Sequence, residues 1–212
     1  MRSPTARKPR ASSQARIDAI LAAARALLAD QGLAALSVYA VAERAGMPPS
    51  SVYHFFPGVP AMLEALTAEV HAAFRACLAE PPAPPLRTWR DLSRQIEERM
   101  LALYAADPAA RQLILTQHGL TEVTQADARH DAELGRLMQA CFAAHFVLPP
   151  LPTEIDVFAL AMELGDRVYA RSMQQHGTIT PRLAEEGMRV FDAYLALYLP
   201  PFLPPITDIN PH

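Results

Sequence analysis

The chain has 212 residues, of which 51% are hydrophobic, and a formal net charge of −3. This length and apolar content suffice for a buried core, and no run of about 18 uncharged apolar residues predicts a membrane-spanning helix or a signal-peptide core. Cys77 and Cys141 have neither CxxC spacing nor a histidine cluster nearby, so we expect reduced thiols, no metal site and a cytoplasmic protein.

The charge is divided unevenly along the chain. Residues 1–56 carry seven basic and three acidic side chains, a net charge of +4, whereas the remaining residues carry 12 basic and 19 acidic side chains, a net charge of −7. A basic end joined to an acidic body suits a protein that presents that end to phosphates. We expect residues 1–12 to form a basic, disordered arm, which either enters a DNA minor groove or only keeps the chain soluble.

The basic part of the chain begins with two predicted helices. The first ends at Gly32 and has one apolar stripe, made of Ile17, Ile20, Leu21, Ala24, Leu27 and Leu28. The second begins after Ser37, a favourable N-cap residue, and ends at Gly46, which can adopt the left-handed conformation. Its inward residues are Val38, Val41, Ala42 and Ala45.

A third short helix follows a turn at Pro48. Pro49 suits the first helical position, and Val52 and Phe56 share the inward face. The outward face then consists of Ser50, Ser51, Tyr53 and His54. Hydroxyl, phenol and imidazole groups can reach phosphates and base edges, so the pair of helices that meets at Gly46 is typical of a helix-turn-helix, although a solvated helix in an ordinary bundle gives the same pattern.

From about Ser13 to Leu66 the chain resembles the amino-terminal domain of the TetR family of transcription regulators. The similar segments are RIDAILAAARALLADQGLAALSV, VAERAGMPPSSVYHFFP and AMLEAL. The resemblance implies a DNA-binding domain over residues 13–58, with the helix-turn-helix at 37–56, and a helical effector-binding and dimerisation domain over 59–212. The positions that it implies for DNA contact are Arg16, Ser37, Pro49, Ser50, Ser51, Tyr53 and His54.

Two positions depart from the family pattern. Pro48 stands where the family usually has serine or threonine, and Val59 stands where it usually has lysine at the start of the fourth helix. Both customary residues contact phosphates or cap a helix, and neither reads bases. We therefore expect weaker non-specific affinity for DNA, or reliance on other contacts, with DNA binding retained.

Beyond Pro57, prolines divide the chain into further helices, and no strand pattern of period two is present. The predicted helices cover residues 60–80, 88–106, 108–115, 125–146, 153–176 and 181–199, with a connection at 119–124. The expected fold is therefore all-α, with about nine helices in all. Asp107 and Thr180 are predicted N-caps, each followed by a proline at the first helical position.

The predicted helix at 153–176 has two apolar stripes on nearly opposite sides, so both sides are expected to be buried against other helices. One side can face its own core, and a second subunit best covers the other. We expect an isologous homodimer built on the last two helices, which the resemblance also implies. The expected interface residues are Leu160, Leu164, Val168, Phe191, Tyr194, Leu195 and Tyr198.

The resemblance also implies a small-molecule effector pocket in this second domain. Polar groups on its apolar stripes are candidate ligand anchors, and a pocket of this composition would suit an aromatic or lipid-like molecule. The candidate residues are Trp89, Tyr104, His118, Met138, Phe142, His145, Met162, Glu163 and Asp166. Alternatively, Asp166 pairs with an arginine such as Arg99 or Arg136, and His145 is a satisfied core histidine.

These observations favour a ligand-responsive regulator of transcription. By default it is a repressor that binds a palindromic double-stranded DNA operator as a dimer and is released by its effector, with no cofactor and no enzymatic activity. An activator and a co-ligand-dependent regulator remain open. A small helical enzyme lacks any supporting motif such as GxSxG, HExxH or a P-loop, and a dimerising module without specific DNA binding is supported only by Val59.

Overall fold

The computed structural model describes residues 8–116 and 121–206, with side chains for 13–116 and 130–206. Over these residues the chain is helical, and its only strand-like pairing is an isolated bridge between Phe146 and Pro205. The nine α-helices there are α1 (Lys8–Gln31), α2 (Val38–Ala45), α3 (Pro49–Phe55), α4 (Val59–Ala79), α5 (Trp89–Ala106), α6 (Pro108–Leu115), α7 (Thr121–His145), α8 (Val157–His176) and α9 (Pro181–Leu195). The prediction of an all-α fold with about nine helices is confirmed.

Two compact units divide the chain, Met1–Leu66 and Thr67–His212, and α4 continues through the boundary. The expected domain division at residues 58 and 59 remains a prediction about function, because a structural boundary does not show what each part binds. α1 begins at Lys8, so residues 8–12 of the expected arm are helical, and residues 1–7 lie outside the described part.

The core of the first unit is formed by the predicted apolar stripes. Ile20, Ala24 and Leu28 of α1 are fully buried, as is Val41 of α2. The first two turns of α4 complete this core with Met62, Leu63 and Leu66, which are also fully buried. Because three helices and the start of a fourth bury their apolar faces together, the geometry of α2 and α3 is fixed by packing.

Capping residues define where the helices of the second unit begin. The Asp107 carboxylate accepts from the Ala109 amide at 2.9 Å, and the Thr180 hydroxyl accepts from the Leu183 amide, as predicted. The sequence prediction missed Asp156, whose carboxylate accepts from the Ala159 amide at 2.9 Å. α8 therefore begins at Val157, later than the predicted residue 153.

Two other predicted boundaries were wrong. α7 begins at Thr121, so residues 121–124 are helical and do not form a connection. α9 ends at Leu195, and a turn follows up to Leu199, in which the amides of Leu197 and Tyr198 bond to the carbonyls three residues earlier. Neither change alters the order of the helices.

Two glycines allow helices of the second unit to approach closely. A Cβ atom on Gly135 of α7 would lie 2.7 Å from the Cβ of Ala159 in α8. A Cβ atom on Gly187 of α9 would lie less than 3.0 Å from three atoms of the Tyr169 ring. These close contacts set the position of α8, and with it the position of the Tyr169 side chain.

Candidate DNA-binding surface and effector cavity

The turn between α2 and α3 has the local geometry that the sequence predicts. The Ser37 hydroxyl oxygen accepts from the Ala40 amide at 3.1 Å and caps α2. Gly46 adopts the left-handed conformation, with φ of 65°, and the Met47 amide bonds to the Ala42 carbonyl at 2.9 Å. Pro49 then occupies the start of α3. This arrangement closes α2 with a tight turn and sets the direction of α3.

The outward face of α3 is polar and accessible. Val52 and Phe56 are buried, and as a consequence Ser50, Tyr53 and His54 are exposed while Ser51 is half-buried. The His54 ring lies edge-on to Phe55, with 4.9 Å between ring centroids, so a neighbouring side chain restricts the imidazole. A short helix with a buried inner face and polar groups outside can enter a DNA major groove.

Other exposed residues lie on α1 and α2. Arg16 and Ser37 are exposed, and so is Tyr39, which is 67% accessible and which the sequence prediction missed. The sequence signal that could have revealed Tyr39 is an aromatic residue on the polar side of α2. Arg44 forms an ion pair with Asp30 of α1 at 2.6 Å, so its guanidinium is held within this unit.

The two departures from the family pattern have local consequences. Pro48 is the N-cap residue of α3 and provides no side-chain cap; its carbonyl accepts from the Ser51 amide at 2.9 Å. Val59 is the first residue of α4, so a position that could carry a positive charge is apolar. Both positions therefore lack a side-chain group that could bind a phosphate.

The second unit encloses a cavity between α4, α5, α6, α7 and α8. The space free of protein atoms is about 440 Å³ when the opening to solvent is included. The centre of a water molecule can reach only about 30 Å³ of it, so the cavity is narrow. The lining residues are His71, Phe74, Glu97, Met100, Tyr104, Ile114, Asp131, Leu134, Met162, Asp166 and Tyr169. A ligand larger than a few waters requires side chains to move.

Two tyrosine–carboxylate hydrogen bonds cross this cavity. The Tyr104 hydroxyl donates to the Asp166 carboxylate, with oxygen–oxygen distances of 3.2 and 3.3 Å. The Tyr169 hydroxyl donates to Glu97 at 3.0 Å. The rings of Tyr104 and Tyr169 meet edge to face, with 6.4 Å between their centroids. The two pairs therefore join α5 and α8 across the cavity.

Burial changes the acidity of these groups. Desolvation raises the pKa of Glu97 to about 7, while the hydrogen bond from Tyr169 lowers it in part and the charge of Asp192 raises it further. Burial and the nearby charge of Glu97 raise the pKa of Tyr169. The pKa of Asp192 is also raised by burial, against the hydrogen bond that Ser93 donates at 2.6 Å. Near neutral pH, Glu97 therefore exists in both protonation states.

Only some of the expected pocket residues line the cavity. Tyr104, Met162 and Asp166 do, whereas Trp89, Met138 and Phe142 are fully buried in the core and are not among the residues that line it. The rings of Trp89 and Phe142 lie 6.4 Å apart, and the Trp89 indole nitrogen donates to the Pro200 carbonyl at 2.9 Å. These three residues have the apolar pattern of a pocket wall but serve as core.

Three other expected pocket residues lie elsewhere. Glu163 is exposed on α8, and His145 is half-buried beside a separate groove that Cys141 and Leu137 also line. His118 lies outside the described residues. The alternative ion pair between Arg99 and Asp166 is not formed, because the Arg99 guanidinium donates to the carbonyls of Glu80 at 2.7 Å and Pro81 at 2.8 Å.

The sequence prediction missed four polar lining residues: His71, Glu97, Asp131 and Tyr169. Glu97 had a recognisable signal, because it shares a helical face with Ser93, Met100 and Tyr104, at spacings of four, three and four residues. All four residues of this face are buried. A buried carboxylate in such a face marks a polar site within the helical core.

The expected dimer residues fall into two groups. Leu160, Val168, Tyr194 and Tyr198 are partly accessible, and Leu164 is 40% exposed. Phe191 and Leu195 are buried within the chain's own core, with 1% and 0% exposure, so in the single chain they are not accessible for a direct contact with a second subunit. α9 turns these two side chains inward because it packs closely along α8.

The described residues form an all-helical fold with an exposed helix-turn-helix in its first unit. Residues 20–66 match the family model of bacterial regulatory proteins, tetR family. Over this segment, the match confirms the resemblance to the TetR family seen in the sequence. No curated protein sequence matches the chain. No helix in the described ranges is long and apolar enough to cross a membrane.

Solved structures show that the TetR fold extends over most of the chain. A TetR-family transcriptional regulator from Streptomyces coelicolor is similar, with 24% identity, a TM-score of 0.66, and coverage of 87% of this chain and 99% of that chain. A TetR regulator from Rhodococcus sp. RHA1 has 20% identity and a TM-score of 0.63, covering 87% and 97%. The multidrug binding protein EbrR, complexed with imidazole, has 18% identity and a TM-score of 0.61, covering 84% and 94%.

Proposed function

We propose that this protein is a ligand-responsive repressor that binds a palindromic operator as a homodimer. The observation that carries the proposal is the polar outer face of α3, which the burial of Val52 and Phe56 presents to solvent. In this proposal residues 13–58 bind DNA and residues 59–212 bind the effector and the second subunit. The tetR family consists of regulators, so we propose no enzymatic activity and place the protein in the cytoplasm with the DNA.

Dimerisation is supported by the apolar side chains that α8 and α9 leave accessible. Leu164 is 40% exposed in the single chain, and Tyr194 and Tyr198 stack edge to face with their rings 5.7 Å apart. Two copies of this face would form a four-helix bundle related by a two-fold axis. A symmetric dimer matches a palindromic operator whose half-sites lie about 34–36 Å apart.

Effector release is supported by the continuity of α4. His71 and Phe74 of this helix line the cavity, and Met62 and Leu63 of the same helix lie in the core of the first unit. A ligand that displaces His71 or Phe74 would favour a different position of α4 and so lower operator affinity. Such coupling is typically about 1–3 kcal/mol, or about 5- to 150-fold in affinity.

A ligand site is further supported by the cavity itself and by EbrR, a protein of similar fold that is complexed with imidazole. In our proposal the effector binds in this cavity, where Tyr104 of α5 faces Met162 and Asp166 of α8. No cofactor takes part.

The test is fluorescence anisotropy of the protein on its own upstream DNA and on scrambled DNA, with salt varied. We expect tighter binding to the native fragment and weaker binding as salt rises. Equal affinity for both fragments would overturn sequence-specific regulation. A reporter driven by the same fragment distinguishes a repressor, whose deletion raises expression, from an activator, whose deletion lowers it.

Variants of α3 test whether this helix contacts the DNA. Tyr53→Ala and His54→Ala should each weaken binding to the native fragment at least about tenfold. His176→Ala is the matched control, because His176 is an exposed histidine in the second unit. If His54→Ala and His176→Ala bind DNA equally well, α3 does not provide the reading surface.

A further inference from the structure

The cavity of the second unit is acidic. Glu97, Asp131 and Asp166 bring three carboxyl groups to its wall, against one basic side chain, His71, and no arginine or lysine among the described residues that line it. The only lysine of the chain is Lys8, far along the sequence from this unit. Inside a poorly solvated cavity, carboxylates strongly favour a positive charge and oppose a negative one.

Three arginines on neighbouring turns have partners outside the cavity wall. Arg75 pairs with Glu133 at 3.2 Å, and Arg99 donates to carbonyls at the end of α4. Arg111 donates to the main-chain carbonyl of Tyr104. None of these three guanidinium groups is part of the cavity wall. The negative charge of the wall is therefore not offset by these arginines.

The hydroxyl groups of the cavity are already used as donors. Tyr104 donates to Asp166, and Tyr169 donates to Glu97. Each phenol oxygen has a single hydrogen, so a bound molecule meets these two hydroxyls as acceptors. A carboxylate or phosphate ligand needs donors, whereas an ammonium group supplies them.

The rest of the wall suits a cation with an apolar body. The ring of Phe74 meets that of Tyr104 edge to face, with 5.2 Å between centroids, and Tyr169 continues this aromatic wall. The faces of such rings attract cations. Met100 and Met162 supply flexible thioethers, which can move to admit a larger group into the small space.

We propose that the effector of this cavity is an organic cation, a protonated amine or quaternary ammonium carried on an aromatic or alkyl body. The charged nitrogen lies between Asp166 and Glu97, and the apolar body lies against Phe74 and the two methionines. This inference rests on the proposed function and narrows it, because the sequence alone left aromatic and lipid-like molecules of any charge open.

The test compares three ligands that share one apolar body: 4-phenylbutylamine, 4-phenylbutanol and 4-phenylbutyrate. Isothermal titration calorimetry with the full chain at pH 7.5 measures each dissociation constant. We expect the amine to bind at least about tenfold more tightly than the alcohol, and the carboxylate to bind most weakly. Equal or tighter binding of the alcohol or the carboxylate, or no binding of the amine, overturns the proposal.

Isosteric variants test whether the negative charge of Asp166 binds the cationic nitrogen. Asp166→Asn keeps an acceptor for the Tyr104 hydroxyl but removes the negative charge, so the amine should bind about tenfold more weakly while the alcohol is unaffected. Glu163→Gln is the matched control, because Glu163 lies exposed on the same helix and does not line the cavity. Equal amine affinity in both variants would place the cation elsewhere.

A second readout separates this inference from the proposed function. The same ligands are added to the protein bound to its upstream DNA, and anisotropy reports release. Release by the alcohol or the carboxylate alone would keep the regulator and overturn the cationic effector. Tight amine binding to a protein that does not prefer its upstream DNA would keep the cationic site and overturn the proposed regulator.

Discussion

The Tyr169 hydroxyl donates a hydrogen bond to the Glu97 carboxylate at 3.0 Å, and this pair joins α8 to α5 within the core of the second unit. Glu97 is only 5% exposed and Tyr169 only 3%. Burying a carboxylate this deeply destabilises the folded state unless it accepts a hydrogen bond. The Tyr169 phenol donates that hydrogen bond. Glu97 and Tyr169 also line the cavity, so the same two residues bond the helices together and form part of the proposed effector site.

Stability should therefore depend on pH through Glu97. Its pKa is about 7 in the folded chain against an ordinary value of 4.5, so the folded state holds a proton that the unfolded state has lost between these pH values. Its contribution is greatest below pH 4.5 and is lost as the pH rises towards 7. We expect the unfolding free energy of the wild type to fall by about 2–3 kcal/mol between pH 5 and pH 8. Glu97→Gln should abolish this fall.

Urea unfolding of both proteins at a series of pH values measures this difference. Tyr169, Asp192 and Asp166 face the same region and remain in both proteins, so the comparison isolates Glu97. Parallel stability curves for the wild type and the variant would show that Glu97 does not change protonation in this range.

Gly187 should be essential for the position of Tyr169. A Cβ atom there would overlap the phenol ring, so Gly187→Ala should displace the ring and lower the unfolding free energy by about 1–3 kcal/mol. Gly165→Ala is the control on the facing helix, where the nearest atom to a new Cβ is 3.5 Å away. There we expect no loss, and a gain of up to about 1 kcal/mol from helix propensity. Thermal melts compare them, and equal effects would contradict the overlap.

The helix-turn-helix of the first unit was predictable because its signals are local. Ser37 as a cap, Gly46 in the left-handed conformation and Pro49 at the start of α3 each follow from a residue's own conformational preferences. Val52 then fixes which side of α3 faces outward. No long-range contact had to be inferred, so the sequence was sufficient.

The cavity was only partly predictable because several helices form it together. Trp89, Phe142 and Phe191 have the same apolar periodicity as a pocket wall or an interface, and packing alone decides that all three are core. Glu97 and Tyr169 are 72 residues apart, and no local rule indicates that they meet. Periodicity reveals that a face is buried but not what covers it.

The apolar residue at the start of α4 should limit the affinity for DNA. Val59→Lys would add one positive charge where α4 begins, so we expect tighter binding to all DNA sequences and a salt dependence steeper by about 0.9 in logarithmic slope. Anisotropy on native and scrambled fragments at several salt concentrations measures both effects. Val59→Gln, which is polar but uncharged, should change neither quantity. An unchanged slope in Val59→Lys would show that this position does not approach a phosphate.

The exposed side of α8 should decide whether the protein is a dimer. Leu164 is 40% accessible in the single chain, and Leu164→Glu would place an uncompensated charge in the proposed four-helix bundle. We expect the dimer to dissociate at least about 100-fold more readily, which light scattering coupled to gel filtration detects as monomer mass. Operator affinity should fall with it, because a monomer contacts one half-site.

Leu137→Glu provides the matched control for this dimer test. Leu137 is a leucine of 39% exposure on α7, outside the proposed interface, so its variant should remain dimeric and bind the operator as the wild type does. If Leu137→Glu dissociates the dimer and Leu164→Glu does not, the subunits meet through the groove beside α7. If the wild type itself has monomer mass at micromolar concentration, the symmetric repressor is wrong, and the exposed apolar side of α8 has another role.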